Sequence, residues 1–137
     1  SLIANYWGQN RVYHHTAPVN MTYALYRALL LILEEGPETV FRRHLENHLL
    51  LVKGLEEMGL RMVVEKPWRL PMLNTAWCPE GIDELAVRRR LRSEFKIEIG
   101  GGLGPLAGKI WRIGLMGHTA RKENVERFLD ALRKVIS

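Results

Sequence analysis

The amino-acid sequence predicts an α+β fold, with a short, mostly antiparallel sheet that has helices on one face and is preceded by a long kinked helix. The 137 residues are enough for one hydrophobic core that needs no disulfide or metal ion to hold it. Nearly half of them are apolar, and acidic and basic residues are mixed along the chain. After two leading helices, helical and β-rich runs follow in the order ββαββα, which is typical of α+β domains.

The N-terminal segment predicts an arm rather than a part of the core. Residues 1–17 have no clear periodicity, so we interpret them as an arm at an interface and residues 18–137 as the folded domain. Thr16 and Pro18 mark the transition, because a threonine hydroxyl can cap a helix and proline fits the first helical turn.

A long apolar helix is predicted from Val19 to Glu35. Its residues are apolar on nearly all sides, which predicts burial on more than one side. Arg27 interrupts the most apolar run, and that run is far too short to span a bilayer. Gly36 and Pro37 then break or kink the helix.

A second helix and two strands are predicted next. The helix ends near Gly59, because glycine suits the position just after a helix C-terminus. Its predicted inward residues recur at helical spacing: Val40, Phe41, His44, Leu45, His48, Leu49, Val52 and Leu55. The β-rich runs Leu60–Val64 and Met72–Trp77 predict two strands.

The third helix is predicted to begin after Asp83, whose side chain can cap its first turn, and to reach about Phe95. Leu85, Leu91 and Phe95 are its predicted inward residues. A brief strand is predicted over Lys96–Ile99, where apolar and charged residues alternate.

A glycine-rich loop over 100–108 precedes the last predicted strand, Lys109–Leu115. Alternation along that strand predicts that Trp111 faces one way and Arg112 the other. The final helix is predicted over Ala120–Ile136, behind a cap formed by Thr119. Its apolar stripe is Val125, Phe128, Leu129, Leu132 and Val135.

Charge and cysteine content narrow the possible classes of function. The net charge is +5, from 20 basic and 15 acidic residues. Arginines cluster over 88–92, but glutamates are interleaved with them, which favours a solvated helix face over a nucleic-acid surface. Cys78 is the only cysteine, which argues against a disulfide scaffold and indicates a reducing compartment. We therefore expect an intracellular, cytoplasmic protein with neither nucleic acid nor a membrane as partner.

Two apparent phosphate-binding motifs do not fit their context. The glycines of the 100–108 loop match a dinucleotide-binding fingerprint, but a strand follows them where that fingerprint requires a helix. Gly108 and Lys109 resemble the end of a nucleotide phosphate-binding loop. Ile110 stands where that loop requires serine or threonine, so neither motif predicts a nucleotide site.

The histidines predict neither a metal site nor a catalytic site. His44 and His48 have the spacing of zinc ligands on one helix face, but a third ligand with a suitable context is missing. His14 and His15 are adjacent, so in an extended arm their side chains point in opposite directions. No serine or cysteine has the setting of a nucleophile activated by histidine.

Two candidate binding features remain. Tyr13 and Thr16 place hydroxyl groups beside a predicted helix N-terminus, a combination that suits a phosphate, although ordinary helix capping is the simpler alternative. Arg112, in the strand KIWRIGL, follows a glycine loop and has small and apolar neighbours. Its planar guanidinium could bind a carboxylate, or it could be an edge-strand arginine that faces water.

Five stretches resemble one family in their order along the chain. The C-terminal part of class V aminotransferases is similar to RVYHHTAPV, the apolar helix that ends in EEG, RHLENHLLLVKGLEEMGL, RLPMLNT and IEIGGGLGPLAGKIWRIGLMGHTARKENV. The most similar branch contains the alanine–glyoxylate and serine–pyruvate aminotransferases, and GPLAGKIWRIG also resembles ureidoglycine–glyoxylate aminotransferase. The resemblance runs from about Tyr6 to Ile136.

The resemblance implies a fold, a cofactor and a partner. Members of the family are fold-type I enzymes that use pyridoxal 5'-phosphate and form homodimers, and this chain is similar to their small C-terminal domain. It implies that Tyr13 and Thr16 bind the cofactor phosphate across the dimer interface. It also implies that Arg112 binds the carboxylate of the substrate.

The family's cofactor-bearing lysine and the aspartate beside the cofactor ring belong to a segment that these 137 residues do not match. The resemblance therefore implies that the parent protein transfers an amino group from alanine or serine to glyoxylate or another small 2-oxo acid, and that this fragment alone is inactive. A non-catalytic dimerisation or binding module is the alternative, with nucleic-acid binding as a weaker one.

Overall fold

The computed structural model describes Ala4, Tyr6, Gly8, Gln9, Tyr13 and residues 15–137. These residues form two compact units, one ending at Pro37 and the other spanning Glu38–Ser137. The predicted boundary between an arm and a domain at residues 17 and 18 stays a prediction. Within the described part of the chain, no helix is both long and apolar enough to cross a bilayer.

The first unit contains helix α1 (Val19–Glu35), which begins and ends where the sequence predicts. Gly36 has a φ of 87°, a left-handed conformation that suits glycine, and its N–H donates to the carbonyl of Ile32. The predicted cap is wrong, because Pro18 occupies the N-cap position and no side chain bonds to the free N–H groups.

The predicted burial of α1 is also wrong within this chain, since none of its residues is buried. Its exposed large apolar side chains are Val19, Met21, Tyr23, Leu25, Tyr26, Leu29, Leu31, Ile32 and Leu33. An apolar surface of this extent marks a contact with another protein segment or chain. The apolar pattern of α1 therefore predicts a buried helix, but the described residues of this chain do not cover it.

From Pro37 onward, helices and strands alternate around a small sheet. The elements are α2 (Pro37–Glu57), β1 (Leu73–Trp77), α3 (Glu84–Phe95), β2 (Gly100–Gly101), β3 (Ile110–Gly114) and α4 (Lys122–Ile136). Strand β3 lies in the middle and pairs antiparallel with both β1 and β2. The predicted α+β fold with an antiparallel sheet is confirmed.

One face of the sheet packs against the helices of this unit. Trp111 and Ile113 of β3 and Ala76 of β1 are buried on that face. They form one core with helical side chains that are also buried: Leu51, Leu55, Val87, Leu91, Val125, Phe128, Leu129, Leu132 and Val135. The predicted stripe of α4 is thus the buried one, as are Leu91 on α3 and Leu55 on α2.

The predicted inward faces of α2 and α3 need correction. Phe41, Leu45 and Leu49 are exposed, because α2 turns a neighbouring face that includes Asn47 and Leu51 toward the core. On α3, Leu85 is 40% exposed and Val87 is buried instead. The burial of His48 agrees with the prediction, whereas the true inward faces also contain the polar residues Asn47 and Glu84, which a hydrophobic pattern does not select.

Two predicted strands and one predicted cap differ from the structure. Leu60–Val64 forms only an isolated bridge, between Met62 and Ala76. Lys96–Ile99 is not a strand, because Lys96 has a φ of 57° at the end of α3, and pairing starts only at Gly100. Helix α4 begins at Lys122 without a side-chain cap, since the Thr119 hydroxyl bonds to Met116 instead.

Candidate functional site

Arg112 lies in the middle of the sheet rather than at an edge. Its Cα pairs with Thr75 of β1 on one side and with Gly100 of β2 on the other. Trp111 and Ile113 point into the core, so Arg112 points to the opposite face, where Gly114 is exposed. The predicted alternation along the strand agrees with this pattern, and the alternative of an edge-strand arginine is wrong.

One nitrogen of the Arg112 guanidinium is held by the backbone and the other two are not. Nε donates to the carbonyl oxygen of Gly101 at 2.7 Å. Within the described residues, neither terminal nitrogen has a hydrogen-bond or ion-pair partner. Arg112 is therefore partly buried and fixed at Nε, while both terminal nitrogens are free. These nitrogens present two parallel N–H donors, which match the two oxygens of a carboxylate.

Gly100 provides the space in which the guanidinium lies. A Cβ atom at this position would be 3.2 Å from Nη2 and 3.3 Å from Nε of Arg112. These distances are shorter than ordinary van der Waals contacts, so the guanidinium would have to shift by a few tenths of an ångström to admit even a methyl group. The glycines at the start of the predicted loop thus form a short strand that makes room for Arg112.

Tyr13 and Thr16 lie next to each other in the first unit. Their hydroxyl oxygens are 2.7 Å apart, and either group can be the donor. Whichever hydroxyl donates to the other, one O–H remains available to an outside acceptor. Both residues are exposed, and neither caps α1, so capping does not account for the pair.

The neighbouring histidine of the arm contributes to local packing. The His15 ring stacks on Tyr6, with ring centroids 5.4 Å apart and an angle of 23° between the ring planes. No metal or catalytic role is predicted for the arm histidines, and this contact gives His15 a role in local packing. His14, the other histidine of that prediction, lies outside the described residues.

His44 has a structural partner. Its Nε2 accepts from the backbone N–H of Gly117 at 3.0 Å, so that nitrogen carries no proton. Arg43 donates to the carbonyls of Gly117 and Ala120, and Asn47 donates to that of Ala120. These residues tie α2 to the loop between β3 and α4, a role that the sequence did not predict.

His48 pairs with a different residue, Asn74 of β1. The two side chains are buried, with 2.6 Å between Nδ1 and Oδ1. His44 and His48 therefore serve two separate contacts rather than one ion. Among the described residues, no three His, Cys, Asp or Glu side chains are arranged to hold a metal.

The Cys78 thiol is not set up as a nucleophile. Burial, with a smaller effect of Glu84 and Asp83, raises the pKa of Cys78, which suits a packing residue.

Three arginines of α3 each contact a glutamate: Arg88 with Glu84, Arg90 with Glu94 and Arg92 with Glu98. This pairing weakens the nucleic-acid alternative.

Comparison with known proteins identifies relatives over nearly the whole chain. It is 44% identical to the (S)-ureidoglycine–glyoxylate transaminase of Bacillus subtilis over 99% of its length, and 43% identical to the alanine–glyoxylate aminotransferase of Mus musculus over 98%. The crystal structure of alanine–glyoxylate aminotransferase from Nostoc sp. matches with 52% identity and a TM-score of 0.89. That match covers 99% of this chain and 36% of the solved one. This chain is homologous to the C-terminal part of class V aminotransferases.

The aminotransferase relatives are much longer than this chain. The chain spans 33% of the length of each of the two curated relatives. A pyridoxamine–pyruvate aminotransferase from Mesorhizobium loti also matches, with 32% identity, a TM-score of 0.86 and 96% of this chain covered. No protein-family model matches the chain.

Aminotransferases of this class depend on pyridoxal phosphate, and two features of this homologue suit that chemistry. The Tyr13–Thr16 pair offers an O–H donor of the kind that a phosphate accepts, and Arg112 offers two N–H donors to a carboxylate. The two hydroxyls lie in the first unit and Arg112 in the second.

Proposed function

We propose that this chain is the C-terminal part of a pyridoxal-phosphate-dependent aminotransferase. The full-length protein transfers an amino group from alanine or serine to glyoxylate or another small 2-oxo acid, and serine–pyruvate transfer belongs to the same proposal. It works as an intracellular, cytoplasmic homodimer. The exposed apolar side chains of α1 support a large contact with the rest of the protein or with a second subunit.

The observation that carries the proposal is the free end of the Arg112 guanidinium. All proposed substrates share a carboxylate next to the reacting carbon. The two terminal N–H groups of Arg112, which form a planar fork, can therefore hold each of them in one orientation. The Nε bond to Gly101 fixes the plane of that fork before substrate arrives, which lowers the cost of ordering it. Partial burial strengthens the pairing, because the charges are less screened than in water.

Tyr13 and Thr16 are proposed to bind the cofactor phosphate of the partner subunit. When bound, pyridoxal phosphate supplies the electron-withdrawing ring that makes amino transfer possible. The two hydroxyls anchor its phosphate and take no part in moving protons. Their mutual hydrogen bond supports this role, since the hydroxyl that accepts it keeps its own O–H available to donate to a phosphate oxygen.

Replacement of Arg112 tests the proposal. In the full-length protein, Arg112→Lys keeps the positive charge but loses the planar fork. We expect the KM for alanine and for glyoxylate to rise by about 30-fold or more, in line with the cost of breaking a desolvated charged pair. Steady-state kinetics measure this change, and Arg92→Lys, on the solvated face of α3, is the matched control. An unchanged KM would exclude Arg112 from carboxylate binding.

The relatives leave the amino donor undecided, because two different donors occur in their names. (S)-ureidoglycine–glyoxylate transaminase and alanine–glyoxylate aminotransferase match at 44% and 43% identity, and both names contain glyoxylate. We therefore propose glyoxylate as the acceptor, with ureidoglycine as the alternative donor. Rates of glycine formation from glyoxylate with alanine, serine or ureidoglycine decide between the donors. No transfer from any of them would favour the non-catalytic module.

A further inference from the structure

An ion pair between the buried Glu84 and the half-buried Arg88 lies in the first turns of helix α3, on the side of the sheet opposite to the Arg112 side chain. The carboxylate of Glu84 accepts from Nε and Nη2 of Arg88, at 2.5 Å and 3.3 Å. The Glu84 side chain is only 5% exposed and that of Arg88 28%. The hydrogen bond to Glu84 raises the pKa of Arg88, so the guanidinium stays charged.

The ion pair touches the strand that holds Arg112. A Cβ atom at Gly101 would lie 3.0 Å from both Nη2 of Arg88 and Oε1 of Glu84, so the pair packs directly against the Gly101 backbone. The carbonyl of the same residue accepts from Nε of Arg112. Gly101 is thus in contact with the ion pair on one side and bonded to the candidate carboxylate-binding residue on the other.

Stability alone does not account for a carboxylate buried beside a half-buried arginine at this place. An ion pair taken out of water seldom stabilises a fold more than apolar residues of the same size would. Strand β2 has only two residues, both glycine, and glycine backbones are the least restricted of all. The Glu84–Arg88 pair, which is joined by two hydrogen bonds, packs against Gly101 and restricts the backbone conformations open to that residue.

We propose that Glu84 and Arg88 are positioning residues for Arg112. They hold Gly101 in place, and the Gly101 carbonyl in turn sets the plane of the guanidinium that receives the substrate carboxylate. This inference rests on the proposed function of Arg112, and it concerns residues on a helix that faces away from the substrate.

Kinetics of the full-length protein test this role. The double variant Glu84→Leu/Arg88→Met replaces the pair with apolar residues of similar size, so that no charge is left buried and unpaired. We expect the KM for alanine to rise about tenfold, with kcat changed less than about twofold. In an Arg112→Lys background, which lacks the fork to be positioned, the same double variant should raise the KM less than about twofold.

Helix α3 offers a matched control. Arg90 and Glu94 form a pair with the same i, i+4 spacing and two hydrogen bonds, but both side chains are exposed, and Arg90 also donates from Nη1 to the carbonyl of Val135. Arg90→Met/Glu94→Leu should leave the KM for alanine unchanged. If the first double variant does not fold, Gly101→Ala presses on the intact pair from the other side and should raise the same KM.

The outcomes separate this inference from the proposed function. A KM that Arg112→Lys leaves unchanged would overturn the role of Arg112 and this inference with it. If Arg112→Lys raises the KM but Glu84→Leu/Arg88→Met does not, the positioning role is wrong and the carboxylate site stands. An equal rise in both backgrounds would also overturn it, since it would indicate a general loss of structure.

Discussion

Gly100 faces Arg112 across the β2–β3 pair, and the guanidinium lies over the space where any other residue would place its side chain. A second glycine, Gly101, accepts the hydrogen bond from Nε and contacts the Glu84–Arg88 pair. The candidate carboxylate site therefore depends on the missing side chains of Gly100 and Gly101 as well as on the guanidinium of Arg112.

Side chains added at Gly100 should displace Arg112 in proportion to their size. We expect Gly100→Ala to raise the KM for alanine slightly and Gly100→Val to raise it about tenfold or more, because a branched side chain cannot share the space of the guanidinium. Gly114→Ala is the control, since its added Cβ would make only an ordinary contact with Met116 at 3.7 Å. Kinetics of the full-length protein measure all three, and equal effects would contradict the account.

At the scale of residues, the sequence predicted the candidates but not their surroundings. The alternation of KIWRIGL predicted that Arg112 points away from the core, because period-two patterns follow directly from strand geometry. Burial of Glu84 was not predictable in this way. A charged residue is buried only when a partner satisfies it, and that partner depends on the packing of the whole unit.

Helix and strand ends show which elements follow from local chemistry. Asp83 caps α3 as predicted, with its carboxylate accepting from the N–H groups of Leu85 and Ala86. Gly36 and Gly59 end their helices in left-handed conformations, again as predicted. Strand β2 escaped prediction because its pairing with β3 depends on distant contacts and not on the β-propensity of its two glycines.

Lys96 ends α3 in a conformation that favours glycine, with a φ of 57°. We expect Lys96→Gly to stabilise the fold by up to about 1 kcal/mol and Lys96→Val to destabilise it by about 1–2 kcal/mol, because β-branched residues tolerate this region least. Thermal unfolding of the full-length protein measures both. Gly59→Ala is the inverse control and should lower the melting temperature. A higher melting temperature for Lys96→Val would contradict this view of the helix end.

The two units of the described chain differ in how much apolar surface each one buries. The unit from Glu38 has a closed core of helices around one sheet face, whereas α1 has no buried residue. The apolar pattern of α1 predicts a burial that the described residues of this chain do not provide. A sequence reports which surfaces are apolar, but not which polypeptide covers them.

The proposed phosphate contact belongs to this larger scale, because it requires cofactor and partner. In the full-length protein, Tyr13→Phe/Thr16→Val removes both hydroxyls at nearly constant shape. We expect the Kd for pyridoxal phosphate to rise by about 10- to 100-fold, and that for pyridoxal, which lacks the phosphate, to stay unchanged. Tyr23→Phe on α1 is the control. An equal loss for both ligands would exclude a phosphate contact.

The central claim is that Arg112 recognises the carboxylate of the amino-acid substrate. The most direct measurement compares kcat/KM for alanine with kcat/KM for alaninamide, which has no carboxylate, in the full-length protein and in Arg112→Lys. The account predicts a strong preference of the full-length protein for alanine that falls by about 30-fold or more in the variant. The same preference in both proteins would contradict it.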